Sequence, residues 1–282
     1  MFSDTHAHLN FSEYNDDNYQ IIQDCFQKGI SIINVGVNFF SSQRAIEIAQ
    51  RYENKIYAAI GLHPENIQYE LDAPKTRGNN PEDIVEIFFD PIKYEALARS
   101  PKVVAVGEIG LDYLRLPQSS AKSAAAKTRQ REIFLAQLDF ARSKKLPVII
   151  HCRLAHNEMI ALLRRNFSSK GRIPGVIHCF SGGKQDAEIY YDLGFYFGIN
   201  GIIFKADHNT IAAIAQIPLD RIVLETDCPF LAPPGMPRRN VPQNLPLIAQ
   251  YLAQIRNDSL DAVIETAAAN TQRLFNISNQ AF

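Results

Sequence analysis

Ser3-Asp4-Thr5-His6-Ala7-His8-Leu9 opens the chain, two residues from its start. The stretch reads as a β-strand, and a strand sends alternate side chains to one face. His6 and His8 therefore point the same way, a spacing suited to gripping one metal ion. Four later strand-like stretches end in Glu108, His151, His178 and Asp227. Strand ends that pool His, Glu and Asp at one spot point to a metal-dependent hydrolase.

Short apolar runs rich in Val, Ile and Phe alternate with longer helical patterns. The runs predict eight strands: Phe2–Leu9, Ser31–Val37, Ile56–Gly61, Val103–Ile109, Pro147–Cys152, Gly175–Phe180, Phe195–Ile199 and Arg221–Asp227. Runs such as Val148-Ile149-Ile150 and Ile222-Val223-Leu224 suit parallel strands covered on both faces. Helices are predicted at Ser41–Tyr52, Thr128–Lys145, His156–Asn166, Lys184–Leu193, His208–Ile217, Gln243–Arg256 and Ser259–Phe275. Strands alternating with helices predict an α/β fold, a (β/α)8 TIM barrel of the metal-dependent hydrolase type, as one domain over 1–282. An open doubly wound sheet is the alternative. No Gly-x-Gly-x-x-Gly follows the first strand, which weakens a dinucleotide fold. Two segments read as insertions, either lids or decoration. They are Gln68–Pro81, with Pro74, Gly78, Asn79 and Asn80, and Leu116–Lys127, with three serines and the run Ala124–Ala126.

Composition bounds the function. The chain has 282 residues, 46% hydrophobic and 21% charged, an ordinary globular mixture. A net charge of −1 gives no support for a broad basic face gripping duplex DNA. It leaves room for a nucleic-acid substrate held by a metal centre and a few local cations. No run of about 18 apolar residues occurs, so no membrane partner is expected. No secretory signal is read at the start. Cys25, Cys152, Cys179 and Cys228 form no Cys-x-x-Cys, and free thiols point to a reducing cytoplasm. Cys152, Cys179 and Cys228 each follow a candidate ligand. If the backbone is extended there, they face away from the metal as small buried side chains.

In a barrel, the C-terminal ends of the strands share one rim, where active sites sit. Five of the seven histidines, namely His6, His8, His63, His151 and His178, fall at predicted strand ends. A lone rim histidine is usually hydrogen-bonded packing, but His6, His8, His151 and His178 together read as ligands. Glu108 lies among apolar residues, where an uncompensated carboxylate is costly, so a metal is expected beside it. Asp227 reads the same way. Glu225 shares the face of Asp227 and suits either support for a ligand or a buried ion pair. His63, before Pro64, suits a substrate phosphate or a turn. Arg153 suits a phosphate or a salt bridge. Lys205, Arg238 and Arg239 lie in rim loops and suit steering of an anion or simple solvation. His156 and His208, near helix starts, read as structural.

In this order, the stretches Ser3-Asp4-Thr5-His6-Ala7-His8-Leu9, Gly61-Leu62-His63-Pro64, Val106-Gly107-Glu108-Ile109-Gly110-Leu111-Asp112-Tyr113, Pro147-Val148-Ile149-Ile150-His151, Ile177-His178-Cys179-Phe180-Ser181-Gly182 and Leu224-Glu225-Thr226-Asp227-Cys228-Pro229-Phe230-Leu231 resemble the TatD family of metal-dependent hydrolases and deoxyribonucleases. The resemblance runs over nearly the whole chain. It implies two divalent ions, with His6, His8 and Asp227 on one, His151 and His178 on the other, and Glu108 bridging. The chain departs from the family pattern away from these positions. Arg153-Leu154-Ala155 stands where Arg-Asp-Ala is frequent, and Asn240-Val241-Pro242 where Asn-Glu-Pro is frequent. The segments after strands three and four also exceed the usual length. These departures bear on substrate contacts and rim shape.

The expected reaction is cleavage of DNA phosphodiesters, single-stranded or at ends, by a water activated between ions about 3.5–4 Å apart. Asp227 takes the proton, Glu108 holds both ions, and His63 or Arg153 neutralises non-bridging oxygens. The donor set suits Zn, Mn or another first-row ion better than an all-oxygen Mg site, although a phosphate-completed Mg site stays open. The alternative is a small-molecule amidohydrolase acting on a lactone, cyclic amide or phosphotriester. Such sites mostly use a carboxylated Lys bridge, and Glu108 stands where that Lys would be. A scaffold that keeps metal only for stability is the non-enzymatic reading. Polarity of cleavage and oligomeric state are not encoded in any motif.

Overall fold

The computed structural model describes residues 1–67, 76–166 and 175–277. Eight parallel strands run in chain order around one sheet. They are β1 (Phe2–Ala7), β2 (Ile30–Val35), β3 (Ile56–Ile60), β4 (Val103–Asp112), β5 (Val148–Arg153), β6 (Gly175–Ile177), β7 (Tyr196–Ile199) and β8 (Ile222–Leu224). The ring closes just beyond β8. The Asp227 amide donates to the His6 carbonyl at 2.8 Å, and the His8 amide donates to the Cys228 carbonyl at 2.9 Å. This is the (β/α)8 barrel that the alternating pattern predicts.

Helices cover the outside: α1 (Asn18–Gln27), α2 (Phe39–Gln50), α3 (Pro91–Ala98), α4 (Ser120–Lys144), α5 (His156–Asn166), α6 (Lys184–Asp192), α7 (His208–Gln216), α8 (Leu245–Arg256) and α9 (Leu260–Phe275). Their starts follow from side chains that satisfy the first free amides. Asn38 accepts from the Ser41 amide while the Ser41 hydroxyl accepts from the Asn38 amide, a reciprocal cap on α2. Asp90 with Pro91, Asp207 and Ser259 cap α3, α7 and α9. No helix among the described residues is long and apolar enough to cross a membrane.

Period-2 alternation sorts each strand into two faces. In β5, Ile149 and His151 point inward while Val148, Ile150 and Cys152 meet the helices. The lower barrel interior is filled by Ile33, Val35, Ala59, Val104, Ala105, Ile149, Val176 and Val223. Leu274, Phe275 and Ile277, from the end of α9 and just beyond, plug its lower mouth. The layer above that apolar floor is polar, and there the candidate ligands lie.

Several expectations need correction. The segment 116–127, read as an insertion that is either a lid or decoration, gives its last eight residues, from Ser120, to the first turns of α4. Alanines are the best helix formers, and Ala126 is fully buried, so the Ala run extends the helix. Helices α1 and α3 are additional to those expected; α1 buries Ile21, Ile22 and Cys25, and α3 buries Tyr94. Of the segment 68–81, residues 68–75 lie outside the described residues. The remainder is tied down rather than free: Asn38 Nδ2 donates to the carbonyls of Pro81 and Ile84, and Thr76 bridges Ile84.

Candidate metal centre

His6 lies on the inner face of β1, and His8 follows one residue past the strand end. Both are buried, with their Nε2 atoms 3.1 Å apart. The His8 Nδ1–H donates to the Val35 carbonyl at 2.9 Å, which fixes the tautomer and leaves the Nε2 lone pair facing the mouth. His178, just beyond β6, stacks on His6 with ring centroids 3.6 Å apart.

Glu108 stands at the centre of this group. It lies inside β4, not at the strand end as predicted, because β4 continues to Asp112. Its Oε2 is 3.3 Å from His6 Nε2 and 4.0 Å from His8 Nε2. Its Oε1 is 2.7 Å from His151 Nδ1, 3.5 Å from His63 Nε2 and 3.7 Å from His178 Nε2. Asp227 completes the ring, its Oδ1 lying 3.5 Å from His8, 3.7 Å from His178 and 3.8 Å from His6. Asp227 lies three residues past β8 with φ 58°, so the predicted strand to 227 ends early. That left-handed backbone is one an Asp tolerates better than most residues. Cys179 has φ 48° as well. The extended backbone assumed after His178 and Asp227 is therefore absent, and Cys179 is only partly buried.

A second set of groups orients the first. Glu225 is fully buried, and its Oε1 lies 2.9 Å from His178 Nδ1. The same oxygen accepts from the Cys179 amide at 2.7 Å and from Asn200 Nδ2 at 3.0 Å. Gly198 on β7 makes room for it, since a Cβ there would lie 2.3 Å from Glu225 Oε2. Asp4, one turn of the alternation below His6, accepts from the Thr226 amide and hydroxyl at 2.9 and 2.6 Å. His151 is held between two carboxylates, Glu108 at Nδ1 and Asp112 at Nε2, the latter at 2.8 Å. Arg153 pairs with that same Asp112 oxygen at 2.5 Å and also with Glu65. His63 takes the turn role expected of it. Its Nδ1 accepts from the Glu65 amide at 3.0 Å, capping a short turn, which leaves Nε2–H as a donor aimed into the site.

The charges are strongly coupled. Burial alone would raise the Glu108 carboxyl, but His63, His6 and His178 outweigh it and hold it well below the usual carboxylate range. Burial opposes ionisation of Asp227 too, yet His178, His8 and His6 keep it lowered. Burial lowers His178, but Glu225, Asp227 and Glu108 overcome this and raise it to about 10. His151 rises to about 9 because its bonds to Asp112 and Glu108 overcome burial. His6 is lowered by burial and the neighbouring His178, and His63 is lowered mainly by burial. Asp4 is raised to about 7 by burial, partly offset by its Thr226 hydrogen bonds.

His6, His8, His63, Glu108, His151, His178 and Asp227 thus meet at one mouth of the barrel. Ligand atoms of His6, His8 and Glu108 lie within 4.8 Å of one another, as do those of His6, His178 and Asp227 and those of His63, Glu108 and His151. Imidazole nitrogens and carboxylate oxygens at this spacing, with the His8 lone pair turned inward, fit a divalent cation. Arg239, one of the cations suited to steering an anion, is already paired. It donates to Asp17 and to the Glu13 carbonyl and lies over the Tyr14 ring. Lys205 and Arg238 are exposed. Asp112 is a further functional residue that the strand pattern can locate, since it stands four residues after Glu108 on one strand and so shares its face. Glu65 and Asp4 were missed because their partners are remote in sequence.

A parallel barrel that pools histidines and acids at the C-terminal ends of its strands defines the metal-dependent hydrolases. Residues 3–276 match the family model described as TatD related DNase. The chain belongs to the TatD family of metal-dependent hydrolases. It is 32% identical over 281 residues to a Bacillus subtilis protein named an uncharacterized metal-dependent hydrolase, YabD, covering 99% of this chain and 100% of that one. It is 34% identical to an Edwardsiella piscicida protein named 3'-5' ssDNA/RNA exonuclease TatD, covering 98% and 99%. The crystal structure of YjjV, a TatD homologue of Escherichia coli, superposes with a TM-score of 0.81 at 30% identity, covering 98% of each chain.

Proposed function

We propose that this chain hydrolyses phosphodiester bonds of single-stranded nucleic acid, with two divalent ions held on either side of Glu108. One observation carries the reading. The two oxygens of Glu108 face different partners, Oε2 toward His6 and His8 and Oε1 toward His151, His63 and His178. A carboxylate divided in this way would be shared between two ions. His6, His8 and Asp227 would complete one ion's ligands, and His151 and His178 the other's. Bound ions would polarise a phosphoryl oxygen and lower the pKa of a water toward neutrality.

The remaining work falls to the chain itself. Asp227 is kept ionised at neutral pH and stands at the rim, where it would accept the attacking water's proton. Because His63 Nδ1 is occupied by the Glu65 amide, its Nε2–H would donate to a non-bridging oxygen. Arg153, already paired with Asp112 and Glu65, would reach a phosphate only by exchanging one of those partners, so its first role is to fix Asp112 and hence His151. The relative named as an ssDNA/RNA exonuclease supports both single-stranded DNA and RNA as substrates. The test is metal analysis of the purified protein, paired with product mapping on end-labelled single-stranded DNA and RNA with and without chelator. Shortened products that vanish with chelator are expected. Intact oligonucleotides beside hydrolysis of lactones or dihydropyrimidines would move the chain to small-molecule chemistry.

A further inference from the structure

Three residues beyond Asp227, the loop after β8 presents Phe230 to solvent. The side chain is half exposed beside a centre whose other members are buried or nearly so. A large exposed ring at that place has no role in the metal centre or in the barrel core.

Its position is nonetheless fixed. The Phe230 amide donates to the Asp227 carbonyl at 2.9 Å, closing a tight turn. Asp227 at φ 58° and Leu231 at φ 54° set the backbone on both sides. The fully buried Asn240 donates from Nδ2 to the Phe230 carbonyl at 2.8 Å and to the Thr226 carbonyl at 3.0 Å. The ring makes T-shaped contacts with His8 at 6.2 Å and with Phe11 at 6.4 Å between centroids. Phe11 is itself stacked on His8 at 4.4 Å. A half-open aromatic ring carried on a fixed backbone, edge-on to a candidate ligand's ring, offers a stacking surface.

We propose that the nucleobase flanking the scissile phosphodiester stacks on the exposed ring of Phe230, an inference that rests on the nuclease reading above. The chemistry matches. Every base offers a π-face, so an aromatic platform binds single strands without choosing a sequence. A duplex end keeps its bases stacked on one another, so the platform favours an unpaired terminus. Lys205 and Arg238, in the loops after β7 and β8, are exposed, and cations in such loops would add attraction for a phosphate backbone.

The test compares wild type, Phe230→Ala and Phe230→Tyr, each with its metal. Substrates are single-stranded oligonucleotides with a normal or an abasic residue next to the cleaved bond. For wild type, the abasic substrate is expected to raise KM about tenfold with kcat unchanged. Phe230→Ala is expected to show the raised KM on the normal substrate and no further penalty on the abasic one. Phe230→Tyr should restore the wild-type pattern. A cleavage-resistant phosphorothioate oligonucleotide with 2-aminopurine at the same position should lose fluorescence on binding to wild type and Phe230→Tyr, but not to Phe230→Ala. An equal abasic penalty in Phe230→Ala and wild type, or equal quenching by both, overturns the stacking while leaving the nuclease reading intact. A wild type that neither cleaves nor quenches any oligonucleotide overturns both.

Discussion

Glu108 is the side chain on which the centre turns, because five histidine nitrogens lie within 4.0 Å of its two oxygens. Glu108→Ala is expected to remove metal and to lower turnover by about 10²–10³-fold or more, while far-UV circular dichroism stays native. Metal analysis beside an activity assay checks it, and wild-type turnover in the variant would refute the bridging role. His151 and His178 give a second prediction. Their pKa values stand near 9 and 10, above the ordinary 6.5. In the metal-free protein they therefore add stability that is fully present below pH 6.5 and lost as pH rises through about 9 to 10. Metal needs their unprotonated nitrogens, so binding near neutrality must expel those protons. Calorimetric titration of metal-stripped protein in buffers of different ionisation enthalpy should show net proton release and affinity that climbs with pH. Binding without proton release would argue against these two residues as ligands. The candidate ligands were legible because each combines a chemically costly residue with an apolar run. Glu65 and Asp4 were not, since nothing local links Glu65 to Arg153 or Asp4 to Thr226, 222 positions away.

Strand alternation made the elements legible, but their ends were harder. A strand stops where its neighbours stop pairing, and this depends on residues distant in sequence. Hence β8 ends at Leu224 while its chain continues to Asp227 in a turn, and β4 outlasts Glu108. Helix α4 starts eight residues before the expected Thr128, because a Ser- and Ala-rich segment carries no apolar stripe of its own, although Ala126 packs in the core. The pairing of β7 with β8 carries its own prediction. Gly198 sits opposite Val223 in register and leaves the gap that Glu225 fills. Gly198→Ala would put a methyl 2.3 Å from Glu225 Oε2 and push the carboxylate off His178. Loss of such a supporting contact is expected to cost about 10- to 100-fold in metal affinity or activity. Competition with a metallochromic chelator measures it. Wild-type affinity would show that Glu225 does not orient His178.

The whole molecule separates two tasks along one axis. Apolar side chains fill the lower barrel, and the end of α9 seals the mouth opposite the centre. The order of strands was legible because parallel neighbours in a barrel follow chain order. The way the ring closes was not, because β8 has only three residues and the last link is made beyond it. That link is formed by the amides of Asp227 and His8 and the carbonyls of His6 and Cys228. Three of those four residues are candidate ligands. A cation seated there would act as a clasp on that seam, and its departure would loosen the join. Hydrogen exchange should therefore quicken at the His8 and Asp227 amides on chelation while the β4–β5 amides stay protected, and uniform protection would show no such coupling. A protein built this way would report its own loading: metal-stripped chains would open more often at that seam and would be cut there sooner by a protease.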